Sequence, residues 1–227
     1  MNLSIIYARL SREVNPDAVV CELADKNSIE GIDKDSLDAY RDDLRDARET
    51  ARKTNRASEG KLNATKAHAA VMISEIFKDA DSEACLLTGS LNKDVYGQKG
   101  VVDAVLKFLS KDDSSLKIIF EELSGNEADI QSLFQHPLLC AILKRNLGDR
   151  VEIKFVTTQD ARDQIGSHCL VVDGGRTFRF EKNKKEPIAI GQFGNVEDGK
   201  ILYGWFSNLW DTVLQNYNST VTAEATA

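Results

Sequence analysis

Beyond residue 80, short continuous apolar runs alternate with stretches whose apolar residues recur every three or four positions. That alternation is the pattern of buried strands separated by covering helices. Residues 84–88 (ACLLT), 116–120 (LKIIF) and 151–156 (VEIKFV) read as strands. Residues 101–110, 129–146 and 158–165 read as helices, with Pro137 breaking or kinking the second. The order β-α-β-α-β-α predicts a mostly parallel sheet covered by helices. The rhythm then changes to three strands with tight links, at 168–172, 177–181 and 187–191. Asp173-Gly174-Gly175 is a strong hairpin signal, and Lys182-Asn-Lys-Lys is a polar second turn. The last element, 197–216, carries Leu202, Trp205, Phe206, Leu209, Trp210 and Val213 at spacings of three and four. It reads as an amphipathic helix packed on the core.

The first third of the chain has a different texture. Residues 18–23 (AVVCEL) form a candidate short strand, and Asp33-Lys-Asp-Ser offers helix start signals. From 35 to 77 there is no proline and helix formers dominate, which predicts one long helix, or two with a break near Gly60. At about 100° per residue, Leu37, Tyr40, Leu44, Ala47 and Ala51 form an apolar stripe. Arg41, Arg45, Arg48, Arg52 and Arg56 form a second stripe, flanked by Asp38, Asp42, Asp46 and Glu49 within i,i+3 and i,i+4 reach. A continuous helix of about 40 residues spans ~60 Å. A compact domain of this size is ~35–40 Å across. Such a helix must protrude, break or pack against another chain. Self-association or a partner protein through 35–78 is therefore expected. The resulting division is 1–80 with the long helix, 81–216 as the α/β domain, and 217–227 as a small, polar, frayed tail.

Composition narrows the classes. An apolar fraction of 42% supports a sizeable core, and a net charge of −7 makes the whole surface a poor trap for nucleic acid. No run of apolar residues is long enough to span a membrane. The apolar run at the N-terminus is too short for a secretion signal, so the expected compartment is cytoplasmic. Cys21, Cys85, Cys140 and Cys169 show no metal-ligand spacing. The last three lie in apolar surroundings and read as buried free thiols. Phosphate-binding glycine loops, nucleophile elbows and zinc motifs are absent, so no cofactor or metal is expected.

The hairpin carries the most specific chemistry. With Asp173-Gly174 as a two-residue loop, His168 stands opposite Arg179; with Gly174-Gly175, it stands opposite Glu181. Alternation puts His168, Arg179 and Glu181 on one face in either register, and Cys169, Val171, Phe178 and Phe180 on the other. A histidine beside a glutamate suits acid–base work. A histidine beside an arginine suits anion binding. The bland reading of this face is a polar, half-exposed surface without chemistry.

The run His168-Cys-Leu-Val-Val-Asp-Gly-Gly-Arg-Thr-Phe-Arg-Phe-Glu, then Ile188-Ala-Ile-Gly-Gln-Phe-Gly-Asn and a terminal helix, resembles the C-terminal part of a phospholipase D-like domain. In that superfamily a strand opens with His-x-Lys, an Asp follows after four intervening residues, and a hairpin leads to Gly-Ser-x-Asn. The resemblance covers about residues 82–215 and implies an α/β fold with a helix-covered mixed sheet, preceded here by a helical extension. It further implies phosphodiester hydrolysis through a histidine nucleophile, often with two motif copies in one chain or across a dimer. His168 matches, but Leu170 stands at the lysine position and Gly175 at the aspartate position. Gly191-Gln-Phe-Gly-Asn195 lacks the serine, whereas Gly89-Ser90-Leu91-Asn92 spells the tetrapeptide at the first strand instead.

The lysine would neutralise phosphate charge and stabilise the developing oxyanion, which Leu170 cannot do. The departures from the motif, with the long helix, therefore point to a non-catalytic binding or assembly module. Accessory subunits of bacterial toxin–antitoxin or defence systems use such modules. The alternative is a divergent phosphodiesterase or nuclease acting as a dimer, with His168 and Glu181 catalytic and Arg176, Arg179 and Asn195 binding. A nucleic-acid contact through Arg41, Arg45, Arg48 and Arg52 is the remaining reading.

Overall fold

Asp33 caps α1 (Lys34–Thr54), its carboxylate accepting from the Ser36 N–H at 3.4 Å. The helix ends at Asn55, which adopts a left-handed conformation with φ 51. A computed structural model of the chain describes residues 33–183, 186–194 and 196–224; the strand expected at 18–23 lies outside them. After α1 the chain runs into a three-residue strand, β1 (Lys61–Asn63), and Thr65 then caps α2 (Lys66–Asp79) by accepting from the His68 N–H at 3.2 Å. The stretch 35–77 is therefore two helices, and the break includes Gly60. Its length no longer obliges it to leave the domain. Nearly every residue of α2 from Ala67 to Phe77 is buried, because α1 covers one side of it and the sheet the other. Ala51 of the apolar stripe of α1 lies in this chain's own core, and Ala47 packs against it.

The rest follows the predicted alternation. β2 (Glu83–Thr88) leads through a short helix, α3 (Lys93–Tyr96), to α4 (Lys99–Leu109) and β3 (Ser115–Phe120). The helical region after β3 is divided into α5 (Glu127–Phe134) and α6 (Pro137–Lys144), with Pro137 at the first turn of α6, where its missing N–H costs nothing. β4 (Val151–Phe155), α7 (Gln159–Gln164), β5 (His168–Val172), β6 (Thr177–Asn183) and β7 (Glu186–Gln192) complete the sheet. The final helix, α8 (Glu197–Glu224), runs past the expected end at Asn216.

The seven strands form one sheet in the order β1-β7-β6-β5-β2-β3-β4. Parallel pairing is confined to β2–β3 and β3–β4; β5, β6, β7 and β1 pair antiparallel with their neighbours. The architecture is thus an α/β mixed open sheet. Because β1 pairs with β7, residues 61–79 contribute to the same sheet and the same core as the strands that follow.

Helices α1, α2, α4 and α6 cover one face around Met72, Ile76, Phe77, Val105, Phe108 and Phe120. On the other face, α8 lays Phe206 and Trp210 against Cys85, Leu87, Ile119, Cys169 and Phe178. Lys154 pins that helix: its buried ammonium donates to the Trp210 carbonyl at 2.7 Å and lies 3.8 Å from the indole centroid. Cys85 and Cys169 are buried free thiols, and burial pushes both thiols up. Cys140 is buried as well. No helix among the described residues is long and apolar enough to cross a membrane.

Candidate functional site

The β5–β6 ladder sets His168 opposite Glu181 and Leu170 opposite Arg179, which is the second of the two registers. The connection holds four residues, because Val172 pairs with Thr177. Asp173, Gly174 and Gly175 all have positive φ, at 50, 66 and 99. The Asp173 carboxylate fixes this turn from outside. It accepts from the N–H groups of Asp81, Ser82 and Glu83 at 2.9, 2.8 and 3.2 Å. Since β5 runs antiparallel to β2, its first residue, His168, arrives at the carboxyl ends of β2, β3 and β4. Crevices at that edge of an α/β sheet are where ligands commonly bind.

The His168 face of the hairpin is not a half-exposed surface. Helix α2 covers it, leaving Leu170 at 1% and Arg179 at 6% exposure. Between the sheet, α2 and the loop after β2 lies a cavity of about 280 Å³. Asn63, Thr88, Tyr96 and Arg179 form its buried part, and Lys66, Ser90, Asn92 and Glu122 its exposed rim. His168 and Glu181 also line it.

The polar groups here are tied to one another. His168 Nε2 lies 3.0 Å from Glu121 Oε2, so the carboxylate orients the ring and favours a proton on that nitrogen. Arg179 Nε donates to Asn63 Oδ1 at 3.2 Å, and its Nη2 donates to Glu181 Oε2 at 3.2 Å. Burial pushes the Tyr96 phenol up to about 12, against the opposing field of Arg179 and a hydrogen bond with Thr88, so it is a neutral hydroxyl. Gly89 lets the Glu122 carboxylate close over the rim, since a Cβ there would lie 2.5 Å from Glu122 Cδ. Among the described residues, no group of three or more His, Cys, Asp or Glu side chains is arranged to hold a metal ion.

The candidate residues fall into three places. His168, Glu181 and Arg179 meet at the cavity, joined by Ser90 and Asn92 of the Gly-Ser-x-Asn tetrapeptide. Arg176 sits at the opposite end of the hairpin. There it pairs with Asp173 Oδ2 at 2.8 Å and Asp81 Oδ2 at 3.1 Å, beside Arg52, which holds Asp79 Oδ1 at 2.5 Å. Asn195 lies outside the described residues. The arginine stripe of α1 is divided. Arg41 pairs with Asp38 and Arg45 with Asp42 on the outer surface, whereas Arg48 turns inward to the buried Glu75 at 2.9 Å. Glu121, Asn63 and Tyr96 escaped the sequence reading. The only local signal for Glu121 was an acidic pair directly after the strand LKIIF.

No family model matches the chain, and no curated protein matches it. Among solved structures it is similar to TrmBL2, an archaeal chromatin protein whose structure shows a novel mode of DNA binding. That match has 12% identity and a TM-score of 0.46, and covers 79% of this chain and 63% of TrmBL2. It is also similar to NucT from Helicobacter pylori, with 9% identity and a TM-score of 0.40, over 70% of this chain and 97% of NucT. The chain thus spans less than two thirds of TrmBL2.

Proposed function

We propose that this chain is a non-catalytic phospholipase D-like module that works by binding a ligand at the His168 cavity. One observation carries the reading. Where the motif requires a lysine, Leu170 is packed at 1% exposure under α2. The neighbouring buried cation, Arg179, is committed to Asn63 and Glu181. A phosphodiester held against His168 would therefore lack an uncommitted cation to take up charge in the transition state. The stretch 35–78, folded onto its own core, gives no separate reason to place the binding function there.

The test is direct. Purified full-length chain is incubated with single- and double-stranded DNA, RNA and a chromogenic phosphodiester, alongside His168→Ala. Equal, background hydrolysis by both proteins is expected. Hydrolysis by the wild type that disappears in His168→Ala would overturn the proposal.

A second reading, a divergent phosphodiesterase, is favoured by the place of Arg179. It stands directly across from Leu170 and lines the same cavity as His168, so a cation does stand near the missing lysine. In this reading Glu121 orients the His168 ring. The same assay decides between the two, with Arg179→Lys as the variant that keeps charge but loses the paired hydrogen bonds.

A further inference from the structure

Asn63 is 1% exposed and lines the cavity. Its two amide atoms are assigned by chemistry. Arginine only donates, so the atom facing Arg179 Nε at 3.2 Å must be the carbonyl oxygen. The other atom is therefore the NH2 group, and it is buried with no hydrogen-bond partner among the described residues. A buried donor left unpaired is costly, so such a group points to an acceptor that arrives with a ligand.

The charge around it argues against that acceptor being a phosphate. Glu122 and Glu181 line the cavity, and Glu121 stands behind His168. Against these carboxylates stand Arg179, bound to Glu181, and Lys66, whose ammonium is 2.5 Å from Asp94. Leaving His168 aside, the local sum is two cations, Arg179 and Lys66, against four acids, Glu121, Glu122, Glu181 and Asp94, and an incoming dianion would be repelled. Glu122 on the exposed rim, and Glu181 beside it, can also accept from a donor. A ligand that satisfies both Asn63 and the glutamates must offer acceptors and donors without net negative charge. The apolar side chains of Ile73 and Val95 and the ring of Tyr96 give the cavity a wall suited to a flat ring.

We propose that the cavity binds a neutral nucleoside, its heteroaromatic ring against Val95 and Tyr96 and its acceptor edge on the Asn63 amide. This rests on reading the cavity as a binding site. A volume of about 280 Å³ suits one ring system with its sugar. That is just below the ~300–1,000 Å³ of drug-sized pockets.

The experiment titrates the four ribonucleosides, their 5′-monophosphates, ribose and inorganic phosphate into the full chain, by calorimetry. Asn63→Asp is the paired variant: it keeps an acceptor for Arg179 and replaces the NH2 donor with a carboxylate oxygen, and its melting curve checks folding. At least one nucleoside is expected to bind, with affinity falling about tenfold or more in Asn63→Asp. Inorganic phosphate is expected not to bind, and the monophosphate to bind more weakly than its nucleoside. Four results would each overturn the proposal. These are no nucleoside binding, unchanged affinity in folded Asn63→Asp, ribose alone matching the nucleoside, or phosphate binding at least as well. Hydrolysis of a phosphodiester would instead count against the non-catalytic reading and leave nucleoside binding to be judged on these titrations.

Discussion

Arg179 stands directly across the β5–β6 ladder from Leu170, one a buried cation with two partners and the other a buried core residue. The pairing predicts that a lysine is poorly tolerated at position 170. Leu170→Lys would put an ammonium under α2 with Arg179 as its cross-strand neighbour. A buried, unpaired charge beside a like charge should cost on the order of 4 kcal/mol or more. Leu170→Met, nearly equal in volume, should cost less than ~1.5 kcal/mol. Urea unfolding of the two variants checks this, and comparable midpoints would contradict it.

The hairpin turn depends on two glycines for different reasons. Gly174 has φ 66 and open space around it. Gly174→Ala should therefore cost only the left-handed strain of an L-residue, ~1–2 kcal/mol. Gly175 has φ 99, and any Cβ there would overlap the backbone of Gly199 and Lys200 at the start of α8. Gly175→Ala should be distinctly worse, because it also pushes α8 off the sheet. Trp fluorescence during unfolding should show the difference. Equal losses in the two variants would mean that the close approach of Gly175 and Gly199 is unimportant.

This turn also shows what the sequence could and could not say. ACLLT is a continuous apolar run, and LKIIF and VEIKFV each carry one wholly apolar face, so β2, β3 and β4 were legible as strands. Lys61-Leu62-Asn63 has a single apolar residue, and β1 exists only because the edge of β7 is there to pair with it. The hairpin was legible, but its register was not. Local spacing allowed two, and the deciding contacts are the Asp173 bonds to the backbone of residues 81–83. His168 was legible as a candidate through its place at the start of the hairpin. Its partner Glu121 was not, because a contact across 47 residues leaves no periodic trace.

Asp173 should therefore be worth more than an ordinary turn residue. Besides the three backbone N–H groups it takes a hydrogen bond from the Ser82 hydroxyl at 3.2 Å and pairs with Arg176. Asp173→Ala would leave several donors unsatisfied and place alanine at φ 50. A loss of about 3 kcal/mol is expected from those combined effects. Asp173→Asn keeps one acceptor and suits the left-handed conformation, so it should lose roughly half as much. Chemical unfolding of both variants ranks them. A milder alanine variant would show that the bonds to 81–83 contribute little.

His136 gives the fold a pH dependence whose sign can be worked out. Its Nδ1 caps α6 by accepting from the Leu138 N–H at 3.2 Å. Burial pulls the imidazole down from 6.5 to about 4, partly offset by a backbone hydrogen bond at Leu91. In the unfolded chain the ring takes up a proton near its ordinary value, whereas the folded ring resists until about pH 4. The unfolded state therefore binds more protons between those limits, and stability falls as pH is lowered through that window. It is fully retained above 6.5. The shift corresponds to roughly 3 kcal/mol. His136→Asn keeps a capping oxygen and removes the titration. The difference in unfolding free energy between wild type and His136→Asn, measured from pH 7 to pH 4, should shrink or reverse in favour of the variant as the pH drops. A difference that stays constant across that range would show that His136 does not carry this acid sensitivity.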